Sequence, residues 1–227
     1  VVGQTANAPF GNNSTEPASY VKISGVYNES TVETYYSAQG LGGIVGSVGY
    51  RGYLDIENSY NLGLALGSNY NIGGIIAHFM SNTTVTVKNC YSVWKDKSKM
   101  GSSKALFGGS LSSTKYTFDN CYYLNTQRNN ELAGLPATAE QFRNGSVAEV
   151  LRDGENGSVW GQNVGMDAYP NLSGELKNSL AQRYAVTFHT FEGDTAEYFG
   201  SYVSGFKKIL PTGVKENTTF MGWYDNA

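Results

Sequence analysis

Leu54-Asp-Ile56-Glu-Asn58-Ser-Tyr60-Asn61, Val85-Thr-Val87-Lys-Asn89-Cys-Tyr91-Ser92 and Tyr116-Thr-Phe118-Asp-Asn120-Cys-Tyr122-Tyr123 superpose without gaps, each 31 residues after the one before. A fourth copy, Val21-Lys-Ile23-Ser-Gly25-Val-Tyr27-Asn28, lies 33 residues ahead of the first. A fixed period in this range marks a repeat architecture, in which each unit buries its apolar face only against its neighbours. Within each copy apolar residues alternate with polar ones: Leu54 and Ile56 against Asp55 and Glu57, Val85 and Val87 against Thr86 and Lys88. That period of two predicts strands with one buried face.

A glycine landmark precedes each copy: Gly42-Gly43-Ile44-Val45-Gly46, Gly73-Gly74-Ile75-Ile76-Ala77 and Gly108-Gly109-Ser110-Leu111. A third alternating stretch, clearest in Leu62-Gly-Leu64-Ala-Leu66, lies between landmarks. Three short strands per repeat describe one coil of a parallel β-solenoid, an all-β fold whose stacked coils sit roughly 4.8 Å apart. The glycine pairs then fall at sharp corners that need a positive φ or a missing Cβ. Four ladders follow: Val21/Leu54/Val85/Tyr116 and Ile23/Ile56/Val87/Phe118 in the core, Gly25/Asn58/Asn89/Asn120 at a corner, and Tyr27/Tyr60/Tyr91/Tyr122 beyond it. Asn tolerates left-handed backbone, and stacked amides hydrogen-bond along a ladder. A sandwich of ordinary hairpins would also alternate, but hairpins have no reason to keep a long fixed period.

The landmarks Gly-Gly-Ile-Val-Gly and Asn-Cys-Tyr-Ser resemble the GLUG repeat of bacterial surface proteins, over about residues 20 to 125. That family occurs in adhesin-like proteins and beside the catalytic parts of immunoglobulin A peptidases, and it carries no defined catalytic residues. In the third unit Gly108 to Asn120 is four residues shorter than Gly73 to Asn89, with the difference made up before the glycines.

From Thr138 the pattern changes. Phe142, Val147, Val150 and Leu151 fall near helical spacing, and Thr138 with Gln141 forms a capping box. Asn144-Gly145 is a turn signal that splits the stretch into two short helices. Trp160-Gly-Gln162 and Asp167-Ala-Tyr169-Pro170 follow, an order that resembles the segment closing GLUG arrays. This resemblance implies a cap over residues 131–173, with Trp160, Tyr169 and Leu172 covering the open end of a solenoid spanning 1–130. Asp153, Glu155 and Gly157 loosely imitate a calcium loop, and 155–160 a sialidase-type turn, but a plain glycine-rich turn is the simpler reading.

A different module starts near Arg183. Tyr184-Ala-Val186-Thr-Phe188-His alternates as a strand, and Gly200 to Lys208 reads as a second. With Phe220-Met-Gly222-Trp223-Tyr224 this resembles the Listeria–Bacteroides repeat, the B-repeat of internalin-type proteins, over residues 184–227. The resemblance implies a small β-grasp-like spacer or partner-binding module, here incomplete because the repeat normally continues with another strand. Val186, Phe188, Phe206, Phe220 and Trp223 would form its core, with residues 173–183 as the connection. An incomplete sheet would leave an edge open to weak self-association.

No side chain stands out as catalytic, cofactor-binding or metal-binding, and the expectation for each is none. His78 and His189 lie in different modules without a ligand cluster. No nucleophile, zinc or phosphate-loop motif occurs. Asp55 and Glu57 share one outward face, but Thr86 and Lys88 follow on the next unit, which suits a solvated face better than a paired-carboxylate site. Cys90 and Cys121 stand one period apart, near enough for a disulfide. Parallel side chains would strain the bridge, which favours two buried thiols, whereas an extracellular setting favours pairing.

A net charge of −3 gives no field for nucleic acid, and no apolar run approaches the ~20 residues of a membrane span. With 28 Gly, 17 Tyr and only 15% charged residues, the composition fits a turn-rich extracellular β protein. Val1 opens the chain without a signal peptide, as expected of a piece of something longer. The expectation is a non-enzymatic, adhesin-like region of a secreted or wall-anchored bacterial protein, a stalk or scaffold whose partner is a host or cell-surface protein or glycan. The alternatives are an accessory region of a surface peptidase or glycosidase, and a carbohydrate-binding module. Exposed aromatics would favour sugar binding, and aromatics buried as ladders a scaffold.

Overall fold

The structure, a computed structural model, describes residues 2–4, 19–34, 40–67, 71–96, 104–112, 114–127, 133–152, 158–188, 198–207, 219 and 221–222. The chain divides into two compact units, Val1–Leu180 and Ala181–Ala227. The first is mostly β, with parallel sheets, two short helices and, among the described residues, no closed barrel. Its named strands all pair in parallel, so hairpin pairing of the sandwich type is not what these residues adopt.

Ser19–Ser24, Gly52–Glu57, Thr83–Ser92 and Thr114–Leu124 lie side by side in the main sheet. Val21 opposes Leu54, Leu54 opposes Val85 and Val85 opposes Tyr116; Ile23, Ile56, Val87 and Phe118 align in the same way. Leu54, Ile56, Val85 and Val87 are buried in one continuous core. Each such burial contributes about 1.5–3 kcal/mol, and it depends on the strands either side.

The corner ladder also holds. Gly25, Asn58, Asn89 and Asn120 have φ of 65°, 49°, 50° and 53°, the left-handed region that Gly and Asn enter at least cost. Asn120 Nδ2 donates to Asn89 Oδ1 at 2.7 Å. Beyond the corner Tyr27, Tyr60 and Tyr91 stack with ring centroids 5.1 Å apart at each step. A polar row runs beside them: Asn28 Nδ2 donates to Asn61 Oδ1 at 2.9 Å, and Asn61 Nδ2 to Ser92 Oγ at 3.3 Å.

This polar row explains the second glycine of the first two pairs. A Cβ on Gly43 would lie 2.3 Å from Asn61 Oδ1, and one on Gly74 would lie 2.0 Å from both Ser92 Oγ and the Ala105 carbonyl. Close approach, rather than backbone angle, requires glycine at these positions. The strands that follow, Val45–Val48 and Ile76–Phe79, pair in register, with Val2–Gln4 on the outer side of Val45–Val48.

The third glycine landmark is displaced from its expected place. Gly73 pairs with Lys104 and Ile76 with Phe107, so Lys104-Ala-Leu-Phe107 occupies the position read as Gly108-Gly109-Ser110-Leu111. The 31-residue period is therefore unbroken. Leu106 and Phe107 are fully buried, and that apolar burial sets the register over the attraction of a second Gly-Gly.

The two helices, Ala139–Arg143 and Ser146–Arg152, form as read, with the Thr138–Gln141 capping box closed and Gly145 at φ 89° between them. Their placement departs from the cap expectation. Trp160 is fully buried against Tyr60 and Tyr91, its Nε1 donating to Asn58 Oδ1 at 3.1 Å, and Phe142 packs on Tyr91 and Tyr169. The segment thus docks along the flank of the tyrosine row; Tyr169 and Leu172 are only partly buried. Stacked rings offer a broad aromatic wall, and an indole N–H can satisfy a corner amide there. The last long strand is met instead by Leu135–Ala137, which pairs with Tyr122–Leu124 alone. Leu176–Lys177, read as connection, pairs with Gln162–Asn163 and belongs to this first unit.

In the second unit Arg183–Phe188 pairs antiparallel with Tyr198–Val203, a strand that begins earlier than the expected Gly200 and stops well before Lys208. Val186 is exposed rather than core, because its cross-strand partner is Gly200, which has no side chain to cover it. Val203 is buried and Phe206 half-buried; the side chains of Phe188, Phe220 and Trp223 lie outside the described residues.

Candidate functional site

Alternation turns one row of side chains on the main sheet outward, and register gathers them into a polar, aromatic face. Tyr20 opposes Tyr53, Lys22 opposes Asp55, and Ser24, Glu57, Lys88 and Asp119 follow one another across the strands. The exposed Tyr20 and Tyr53 rings sit 6.3 Å apart, tilted by 40°. Tyr20 Oη donates to Asp55 Oδ2 at 2.6 Å, and Lys22 Nζ lies 2.8 Å from Glu57 Oε1. The tyrosine pair was not read from the sequence, although each ring stands one residue before a core-ladder position.

The electrostatics of this face hold the Lys22–Glu57 pair ionised. The Lys22 hydrogen bond holds the Glu57 carboxyl below its ordinary value, and Glu57 raises Lys22 in return. The Asp55 hydrogen bond raises the Tyr20 phenol. A general acid needs a carboxyl held protonated by burial or a like charge, whereas Glu57 is stabilised ionised. What the face offers is hydrogen bonding, ion pairing and two flat apolar rings.

Cys90 and Cys121 are register partners, both free and buried. Cys90 Sγ donates to the Lys88 carbonyl at 3.1 Å, and Cys121 Sγ approaches the Asp119 and Val87 carbonyls at 3.3 and 3.4 Å. Burial pushes the Cys121 thiol well above its ordinary value, so it is kept protonated, the opposite of a nucleophile's requirement. His78 Nδ1 faces Ser47 Oγ at 3.2 Å, and burial lowers its pKa. His189 and the Asp153–Gly157 stretch lie outside the described residues. Among the described residues no group of three or more His, Cys, Asp or Glu could hold a metal, and no helix is long and apolar enough to cross a membrane.

Apart from Tyr27, whose ring is exposed at the outer end, the aromatic wall is committed to packing. Tyr91 is fully buried, and burial first, then the neighbouring Tyr60, drives its phenol well above the ordinary value. Its hydroxyl donates to the Pro170 carbonyl at 2.5 Å. Tyr122 Oη donates to Asn120 Oδ1 at 2.6 Å.

No family model matches the chain, and no curated protein shows significant similarity to it. Among solved structures, a Bacteroides ovatus crystal structure, provisionally named as that of an immunoglobulin A1 protease, is similar at 15% identity and a TM-score of 0.44. The likeness covers 76% of this chain and spans 62% of that one.

Proposed function

We propose that the first unit is a parallel β-solenoid of GLUG-like repeats and that the chain is a non-enzymatic scaffold of a secreted or wall-anchored bacterial surface protein, engaged in adhesion. The second unit, on this reading, is a B-repeat module of β-grasp type. One observation carries the scaffold reading: beyond the exposed Tyr27, the tyrosine row is spent inside the molecule at Tyr60, Tyr91 and Tyr122, with Tyr60 and Tyr91 stacked on each other and packed against Trp160. Aromatics used in this way build length and stiffness rather than a ligand platform.

A second reading, sugar binding, is favoured by Tyr20 and Tyr53, whose exposed rings stand beside a carboxylate and an ion pair. Both readings meet one experiment. Beads coated with the chain are tested for adhesion to epithelial cells and to a glycan array, beside turnover of peptide and glycoside substrates. The scaffold reading expects cell adhesion that survives Tyr20→Ala with Tyr53→Ala, and no turnover. Glycan binding lost in that double variant supports the second reading. Turnover lost in Asp55→Asn or Glu57→Gln would defeat both.

A further inference from the structure

The last long strand, Thr114–Leu124, is half covered. Leu135–Ala137 pairs with Tyr122–Leu124, and Asn120 Nδ2 donates to the Val150 carbonyl at 2.7 Å. Among the described residues no strand pairs with the outer edge of Thr114–Asp119. Inward positions there are not sealed as they are further in: Tyr116 is 50% exposed, whereas Val85, the residue it follows, is 1% exposed. Phe118 is partly buried, stacked on Phe107 at 4.1 Å and on Tyr116 at 5.1 Å. A row of backbone groups with no strand partner among the described residues, beside an unsealed aromatic cluster, is the substrate for strand addition.

We propose that Thr114–Asp119 is a docking edge for one extended segment of a partner polypeptide, added in parallel, with apolar residues opposite Tyr116 and Phe118 and a basic residue opposite Asp119. The charge follows from the outward row, in which Glu57, Lys88 and Asp119 alternate in sign, so the next position is complementary when basic. The length follows from Leu135. A second copy of this chain laid on the edge in ladder register would bring its Ser24 to Asp119 and its Tyr27 to Tyr122, where Leu135 already stands. A full repeat is therefore blocked and a single strand is not. This inference goes beyond the scaffold reading and does not rest on it, since only pairing register and charge enter.

The test titrates the isotope-labelled full chain with a capped hexapeptide, Thr-Thr-Val-Thr-Val-Lys, at millimolar concentration, following backbone amide shifts and exchange. The peptide copies Thr83–Lys88, which already pairs with Thr114–Asp119 from the other side. Shifts and slowed exchange confined to Thr114–Asp119 and its neighbours are expected. Replacing the terminal Lys of the peptide by Glu should weaken binding about two- to fivefold, the range of a cross-strand charge pair. Asp119→Lys, an exposed change, should reverse that order while leaving the remaining spectrum in place. The proposal is overturned by a scrambled peptide that binds equally, by amides that do not respond, or by peptide-free protection of this edge that rises with protein concentration.

Discussion

The middle and the end of one ladder contrast more sharply than any two elements of the molecule. Val87 is 0% exposed between Ile56 and Phe118, yet Phe118, one strand further on, is only partly buried, with the rings of Phe107 and Tyr116 stacked on it. At this end of the ladder the residue types differ too: compact β-branched side chains at Ile56 and Val87, and large stacked rings at Phe107, Tyr116 and Phe118. In a repeat, burial is conferred by the adjacent unit, so equivalent positions are not energetically equivalent.

The largest expected effect tests that claim directly. Val87→Asp strands a carboxylate in the buried core between two flanking strands and should cost about 5 kcal/mol, enough to unfold a marginal domain. Phe118→Asp, its neighbour in the same row, should cost less than half as much, because water reaches the new carboxylate. Denaturant melts of the two variants decide it; equal losses would mean that the end of the row is as closed as its middle.

The flank gives the next effect. Trp160→Ala removes a fully buried ring from Tyr60 and Tyr91 and should cost about 3–4 kcal/mol. Trp160→Phe keeps most of the packing and loses the hydrogen bond to Asn58, a loss of about 1 kcal/mol. Near-ultraviolet dichroism and melts should rank them in that order. If both cost the same, the indole N–H bond to the corner amide outweighs the wall of rings.

The sequence made the repeat legible because its signal is local and redundant. Alternation marks the strands, the period sets the register, and Asn58, Asn89 and Asn120 mark one backbone angle three times. It misled where two local signals competed: Gly108-Gly109 imitates the landmark, while the deciding burial of Leu106 and Phe107 is visible only once strands are stacked. The capping box and the split at Gly145 were readable, being contained within a few residues. Where those helices dock was not, since Trp160 meets Asn58 across 102 residues of chain. The outward face was half visible. Asp55 and Glu57 were singled out, but their partners Tyr20 and Lys22 belong to another repeat and join them only through the register.

Glycines sharpen the same comparison at smaller scale. Gly74, among inner strands, has no room: Gly74→Ala should cost about 1–3 kcal/mol by overpacking against Ser92 and the Ala105 carbonyl. Gly25, in the outermost strand's corner, has nothing within 4 Å of a built Cβ, and only its φ of 65° is restrictive. Gly25→Ala should therefore cost about 1–2 kcal/mol through backbone strain alone. Gly25→Asn, which completes the corner ladder, should instead raise stability by up to about 0.5 kcal/mol by stiffening the unfolded chain. Melts in which Asn at this position destabilises as much as Ala would show that the first corner is not equivalent to those at Asn58 and Asn89.

The smallest effect concerns pH and separates a covered group from an open one. Burial lowers the His78 pKa, so the folded protein binds that proton less readily than the unfolded chain, in which the group titrates near about 6.5. Stability should be flat above that pH, fall as the pH drops through it towards the lowered folded-state value, and level off below. Glu57 acts in a different window. Its Lys22 partner lowers its pKa, so its contribution is present above the ordinary carboxylate range and is lost as the pH falls through the lowered value. Being an exposed pair, it contributes little. Urea midpoints measured across both windows should show a shallow step near neutrality that His78→Gln removes and Glu57→Gln leaves in place. A step that persists in His78→Gln would assign it to another group and leave the inner sheet around Ser47 and His78 as wet as the open edge.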